Sequence, residues 1–203
     1  MTVYSKTSIA NMALSHLGIG KEVANVDTEN NQESASCRRF FDIARDSTLR
    51  DAPWPFATTR LTLALVEADP NDEWAYSYRY PSDCLFFRRI LSGVRNDTQD
   101  SRTPYKIEGD ASGRLIFTDA EDAIAEYTEG VTDTTRFPPD FVMALSLRLA
   151  MFISPRLTAG DPFGLGKRTY ELYRIEIAKV DATAFNEEQA DITPDSEFIR
   201  ERE

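Results

Sequence analysis

The stretch "RDAPWPFATTRLTLAL", residues 50–65, divides the chain into two differently patterned parts. Before it, apolar residues recur with the spacing of helices, and after it they alternate with polar residues, as in half-exposed strands. Pro53 and Pro55 forbid a helix here, because each ring removes a backbone donor and clashes with the preceding turn. Trp54 and Phe56 are therefore interpreted as packing at the seam between a helical layer and a sheet. The alternative is that the two rings form a binding surface.

Four stretches of the sequence have the periodicity of helices. The third is apolar nearly all round, with Arg148 as its single charge, which predicts a helix buried on most sides. Pro155 is expected to end that helix. In the fourth, apolar residues recur at spacings of three and four, as on a helix that packs along a neighbour. The predicted helices cover residues 7–17, 31–50, 141–153 and 163–185.

Between the second and third helices, short alternating runs are divided by Gly, Asp and Asn. Residues 61–65 predict one strand, and the acidic stretch "EADPNDE", residues 67–73, predicts a loop. Short strands with tight connections are typical of a small antiparallel sheet or sandwich. The other predicted strands cover residues 74–80, 83–94, 103–109, 113–119 and 123–130.

These patterns predict an α+β fold. A bundle of four main helices carries a small antiparallel β domain inserted between helices 2 and 3, and the chain ends in an extended tail. The predicted parts are a first half of the bundle, a β-rich insert, a second half of the bundle and the tail. They cover residues 1–58, 59–135, 136–186 and 187–203, respectively.

The composition limits the possible functions. The 203 residues carry a net charge of −11, which argues against binding DNA through its phosphates. Residues 181–203 contain eight acidic residues and two Arg, so the tail is strongly acidic. No apolar run has the length of a membrane span, and no secretory signal is evident at the N-terminus. Cys37 and Cys84 fit no metal-binding or disulfide pattern, so a reducing cytoplasm is expected.

The sequence offers few groups for catalysis. His16 is the single histidine and lies on an apolar helical face, where a structural role is the usual one. A thiol pair of Cys84 with His16 lacks local support, and "GDPFGLGKRTY" departs from a phosphate-binding loop. No enzyme activity, cofactor or metal is therefore predicted. Glycoside hydrolysis by a pair of carboxylates stays an alternative, because acidic residues are abundant in the strand region. These are Asp72, Glu73, Asp83, Glu108 and Glu126.

Three motifs lie within residues 7–93. The first is a helix ending in Leu-Gly, the second a Pro-Trp-x-Phe-Ala junction followed by Arg, and the third a Tyr-x-Tyr segment followed by Asp-Cys-Leu. Their residues are Ala13, Leu14, Leu17 and Gly18; Leu49, Pro53, Trp54, Phe56, Ala57 and Arg60; and Tyr76, Tyr78, Pro81, Asp83, Cys84 and Leu85. Together the three motifs resemble the head-to-tail adaptor family of short-tailed bacteriophages, also called tail tubular protein A.

The resemblance implies a structural virion protein rather than an enzyme. The expected assembly is a homo-oligomeric ring of twelve subunits between the portal protein and the tail tube or nozzle, near the tail fibres. Double-stranded DNA would pass through the central channel without sequence-specific binding. The expected location is the neck of the virion, after assembly in the bacterial cytoplasm. Two alternatives stay: a peptidoglycan hydrolase associated with a phage tail, and an unrelated cytoplasmic helical protein with a β insert that binds a partner.

The motifs and the resemblance also assign candidate site residues. Seam packing is assigned to Trp54, Phe56, Pro81 and Cys84. Contact with the nozzle is assigned to Arg88 and Arg89, which as strand neighbours should point to opposite faces of the sheet.

The tail supplies a further set of candidate residues. Family members use their C-terminal ends to grip the portal, and this tail contains one apolar pair among its acidic residues. The residues expected to contact the portal or a neighbouring subunit are Phe198, Ile199 and Arg200. The alternative is a solubilising end without a fixed structure.

Overall fold

The helices begin and end close to where the sequence patterns place them. A computed structural model describes residues 4–93 and 102–187 of the chain. Side-chain oxygens of Ser5 and Asn31 accept first-turn N–H groups and so cap the first two helices. An α+β protein with four main helices, as predicted, is confirmed in these ranges. The helices are α1 (Lys6–His16), α2 (Gln32–Asp51), α3 (Pro139–Leu157) and α4 (Leu165–Glu187).

Helix α3 lies at the centre of the helical part and contacts α1, α2 and α4. Its residues Phe141, Leu145, Leu149 and Ile153 are completely buried. Neighbouring positions such as Ala144 are buried as well, so solvent reaches little of the helix. The prediction of a helix covered on most sides is confirmed, because nearly every face of its sequence is apolar.

The prediction that Pro155 ends α3 is wrong. The helix continues to Leu157, and Pro155 lies within its last turn. A proline removes one hydrogen bond to the preceding turn, but the chain beyond it can still complete the turn. There Thr158 donates its backbone N–H and its hydroxyl to the Ser154 carbonyl, at 2.9 and 2.7 Å. At the other end of the helical part, α4 includes Glu187, although the sequence pattern places this residue in the tail.

Seven strands form two antiparallel sheets between α2 and α3 in the described part of the chain. The strands are β1 (Thr58–Thr62), β2 (Leu65–Ala68), β3 (Tyr76–Arg79), β4 (Cys84–Leu91), β5 (Lys106–Asp110), β6 (Gly113–Thr118) and β7 (Ile124–Glu129). The three-stranded sheet has the order β1-β7-β4, and the four-stranded sheet has the order β2-β3-β6-β5. Short 3₁₀ turns at Pro55–Ala57 and Thr134–Arg136 lead into and out of this region.

The single strand predicted over residues 61–65 is divided between the two sheets. Leu63 still donates its N–H to Ala123 at the end of the three-stranded sheet, at 2.9 Å. The next carbonyl, that of Ala64, accepts from Arg79 of the four-stranded sheet. The alternation of side chains continues across this change of partner, so periodicity alone could not reveal it. Strand β2 also extends into the acidic stretch, residues 67–73, for which the sequence predicts a loop.

Two apolar cores result from this arrangement. The helical core contains residues of all four helices together with Trp54 and Ala57 from the junction. The sheet core joins residues of both sheets, among them Tyr78, Phe87 and Tyr127. The cores are separate clusters, so the contacts that join them decide how the sheets sit on the helices.

Gly166 allows the start of α4 to approach α3 closely. A Cβ added there would lie 3.0 Å from Asp161 Oδ2 and 3.3 Å from Ser154 Cβ. We expect Gly166→Ala to lower the free energy of unfolding by about 1 to 2 kcal/mol through overpacking. Chemical denaturation measures this loss. Gly20→Ala is the matched control, because a Cβ there meets no atom within 4 Å, and a loss as large at Gly20 would contradict the explanation.

Candidate functional site at the seam between helices and sheets

Trp54 completes the C-terminal end of α2. The last four carbonyls of a helix have no partner within the helix, and here no glycine follows to satisfy them. The indole N–H of Trp54 donates to the carbonyl of Thr48, at 2.8 Å. The ring itself is 2% exposed and meets Phe141 of α3 edge to face, with 5.0 Å between centroids. Trp54 therefore both caps one helix and packs against another.

Phe56 extends this packing toward the end of the sheet region. Its ring lies 5.9 Å from that of Phe137 and 5.0 Å from that of Phe141, and is only partly buried. Arg136 donates to the Phe56 carbonyl, at 3.0 Å. The chain enters the sheets directly after Phe56 and returns to the helices at Phe137. The contacts among these aromatic rings therefore hold both ends of the sheet region against α3.

Arg88 joins the three-stranded sheet to the same helix end. From the middle of β4, its Nη2 donates to the carbonyls of Ala52 and Arg50, at 2.7 and 3.2 Å. Its Nε donates to the hydroxyl of Thr128 on β7, at 2.9 Å, and its guanidinium lies 4.5 Å from the centre of the Phe86 ring. We define the seam as Trp54, Phe56, Arg88, Phe137 and Phe141.

The expectation that Arg88 and Arg89 point to opposite faces is wrong. The register of β4 against β7 shifts between Phe87 and Arg89, which marks a bulge. Arg89 donates to Glu126, at 2.9 Å, and Arg88 to Thr128, two residues along the same strand. Because alternate residues of a strand share a face, both arginines act on one face of the sheet.

Glu126 lies between two arginines on this face. Arg89 Nε bonds one carboxylate oxygen at 2.9 Å, and Arg60 bonds the other at 2.8 Å. Burial on its own would raise the pKa of Glu126, but the hydrogen bonds and charges of Arg89 and Arg60 together hold it below its ordinary value. A glycosidase acid needs a raised pKa, so Glu126 is poorly suited to that role.

Stability below pH 4.5 provides a test of this ion network. The pKa of Glu126 is lowered in the folded state, so its stabilisation is present above 4.5 and is lost as the pH falls through the lowered pKa. We expect Glu126→Gln to cost about 1 kcal/mol at pH 7 and almost nothing near pH 3. Urea unfolding at both pH values measures the difference. Glu108→Gln, on the exposed strand β5, controls for loss of charge, and a cost independent of pH would contradict the prediction.

Cys84 belongs to the sheet core rather than to the seam, and Pro81 lies in the turn before it. The Cys84 N–H donates to the Pro81 carbonyl, at 3.2 Å, in the turn before β4. The thiol is buried with Tyr80 and Tyr127, and burial raises its pKa. Tyr127 donates its hydroxyl to Asp83, at 3.0 Å. A thiol with a raised pKa is a weak nucleophile, so packing explains Cys84 better than catalysis does.

The catalytic pair considered from sequence receives no geometric support. His16 belongs to the helical part, where its Nε2 lies 3.0 Å from the hydroxyl of Ser146, and burial lowers its pKa. Cys84 belongs to the separate sheet core. Within residues 4–93 and 102–187, no group of three His, Cys, Asp or Glu side chains has a metal-binding arrangement. No described helix is long and apolar enough to cross a membrane.

Sequence reasoning missed a polar cluster beside the seam. The Tyr173 hydroxyl of α4 donates to Asp51 at the end of α2, at 2.6 Å. Arg148 of α3 pairs with the same carboxylate at 3.5 Å, and its guanidinium lies 4.9 Å from the Tyr173 ring. Burial, followed by the bond to Asp51, raises the pKa of Tyr173. The signal was Arg148, the single charge within the apolar residues 141–153, because a buried charge needs a partner.

The predicted portal contacts Phe198, Ile199 and Arg200 lie outside the described residues. Among those described, Trp54, Phe56 and Arg88 come together at the end of α2, whereas Pro81 and Cys84 do not join them. No family model matches the sequence, and no curated protein matches it significantly.

Proposed function

We propose that the protein is a structural adaptor in the neck of a short-tailed bacteriophage. Copies assemble side by side into a ring between the portal and the tail tube or nozzle, and DNA passes through the central channel. In this proposal the four helices form the ring body, the sheets form a unit inserted between α2 and α3, and residues 188–203 reach the portal. The protein acts by holding partners together rather than by catalysis.

The junction motif is the observation that carries the proposal. Leu49, Trp54, Phe56 and Ala57 belong to the motif that resembles the adaptor family. Leu49 and Ala57 are buried, and all four side chains belong to or pack against the helical core. The resemblance thus falls on residues with a clear structural reason to be apolar, in the part of the fold that joins helices to sheets.

Surface properties support a ring of repeated contacts. The outward sides of α2 and α4 carry exposed apolar residues, namely Ile43, Leu172 and Ile175, with 54%, 41% and 53% exposure. Arg is enriched over Lys in the chain, as at protein interfaces. The net charge of −11 suits a channel through which DNA must slide, because it offers phosphates little attraction.

Nozzle contact, assigned to Arg88 and Arg89, is also part of the proposal. The guanidinium of Arg88 donates hydrogen bonds to α2 and β7. Substitution of Arg88 would therefore destabilise the fold, and a loss of nozzle attachment could not be attributed to a lost contact with the partner. Arg89 is 34% exposed at its side chain and is the better probe. Arg89→Ala can therefore test nozzle attachment with little effect on folding, whereas a charge swap would set a second carboxylate against Glu126.

Electron microscopy of the purified protein, alone and mixed with the portal protein of the same genome, tests the proposal. A ring with a central hole, formed alone or on the portal, is the expected result. Particles that remain single copies under both conditions would refute it. Zymography on peptidoglycan tests the hydrolase alternative, and a cleared band that persists after further purification would favour that alternative.

A further inference from the structure

The side chain of Phe163 projects into solvent from a loop whose backbone is fixed by hydrogen bonds. Its side chain is 85% exposed, the largest value among the exposed large hydrophobic residues in the described part of the chain. The loop, residues 158–164, joins α3 to α4. Asp161 accepts the N–H groups of Leu165 and Gly166, at 2.7 and 2.9 Å, and Pro162 restricts the backbone directly before the ring. An apolar side chain on an already ordered loop loses little conformational entropy when it binds.

The surroundings of this loop are positively charged in a protein that is otherwise acidic. Arg156 in the last turn of α3 and Lys167 and Arg168 in the first turn of α4 are exposed. The acidic residue of the loop, Asp161, directs its carboxylate to the α4 backbone. The Phe163 loop therefore combines one protruding ring with three cations, which suits an acidic surface with a recess for an aromatic side chain.

The four-stranded sheet offers such a surface on the same chain. An open cleft of about 510 Å³ lies beside the β2–β3 connection, and a recess of this size accepts one aromatic side chain. Its polar and aromatic lining comprises Asp69, Asn71, Asp72, Glu73, Trp74 and Asp119. We call this recess the acidic cleft.

Most charged side chains at and around the acidic cleft are negative. The carboxylate of Glu121 is the largest cause of a raised pKa at the neighbouring Tyr76, and Asp69 and Asp122 contribute as well. Among the described residues, Lys106 pairs with Glu73 at 3.6 Å, but it bonds Glu108 more closely, at 2.9 Å. A cationic partner would therefore find several carboxylates, among them Asp69 and Asp72, that form no ion pair with any of the described residues.

We propose that the Phe163 loop of one copy docks into the acidic cleft of the next copy. The ring of Phe163 would pack beside Trp74, while Lys167 and Arg168 would face Asp72 and Glu73. The loop and the cleft are different surfaces, so in the proposed ring each copy uses its loop on one neighbour and its cleft on the other, which is a head-to-tail contact. This inference rests on the proposed ring assembly and names one interface within it.

Self-association of the full-length protein tests the apolar half of the contact. We expect Phe163→Ser to weaken association at least tenfold, measured by sedimentation or mass photometry, because the anchoring ring is lost. Its melting temperature should equal that of the wild type, because the side chain is exposed. Leu61→Ser, on strand β1 and outside both surfaces, removes another exposed apolar side chain; it is the matched control and should weaken association less.

Charge exchange tests which surfaces meet. Lys167→Glu with Arg168→Glu in one variant, and Asp72→Lys with Glu73→Lys in another, should each weaken association. Mixing the two variants should restore it, because opposite charges again face each other. Wild-type rings in Phe163→Ser, or no recovery on mixing, would overturn this interface and leave the adaptor proposal standing. A wild-type protein without rings, even with portal, would instead refute the adaptor proposal.

Discussion

Trp54→Ala should lower the free energy of unfolding by about 4 kcal/mol, the largest loss expected from any single substitution considered in this protein. The side chain is 2% exposed and packs against Phe141 in the helical core. Its removal leaves a cavity that the rigid helices α2 and α3 cannot fill. It also removes the donor to the Thr48 carbonyl, which is then buried without a partner. Equilibrium denaturation by urea measures the loss.

Trp54→Phe separates the two contributions. It keeps most of the ring volume but lacks the indole N–H, so we expect a loss of about 2 kcal/mol from the unsatisfied carbonyl. Trp74→Ala serves as a control for loss of a tryptophan, because Trp74 is half-buried and belongs to neither core. If Trp54→Ala cost no more than Trp74→Ala, the ring would not be structural packing. The alternative of a binding surface would then regain support.

The helices and the place of the seam could be predicted because local features determine them. Proline at positions 53 and 55 stops α2 through its own covalent geometry, whatever the rest of the chain does. The apolar sequence of α3 likewise requires burial on most sides. Trp54 between the prolines then has to pack against the nearest apolar surface, which is α3.

Sheet partners and polar contacts could not be predicted, because they depend on residues that are distant in sequence. The alternation through Leu63 and Ala64 is continuous, although the two residues bond different sheets. The bulge at Arg88 leaves no periodic signal, yet it turns two neighbouring arginines to one face. Arg88 meets the end of α2 from 36 residues away, and only the folded structure brings them together.

Arg88→Ala should lower the free energy of unfolding by about 3 kcal/mol, the second largest loss expected. The guanidinium donates to the carbonyls of Ala52 and Arg50 and to Thr128, and removal leaves these acceptors without their charged donor. Hydrogen exchange should locate the effect, with faster exchange at the C-terminal turn of α2 and along β4. Arg88→Lys should recover only a small part of the loss, because one ammonium group cannot reach both elements at once.

Arg89→Ala is the matched control, one residue further along the same strand. Its bond to Glu126 is partly exposed, and Arg60 holds the same carboxylate, so a loss below about 1 kcal/mol is expected. Both arginines carry one positive charge on the same face of the sheet. If Arg88→Ala lowers the free energy of unfolding much more than Arg89→Ala does, the effect of Arg88 comes from its bonds to the end of α2. Equal losses would instead mean that general electrostatics on that face, rather than the capping of α2, holds the sheets to the helices.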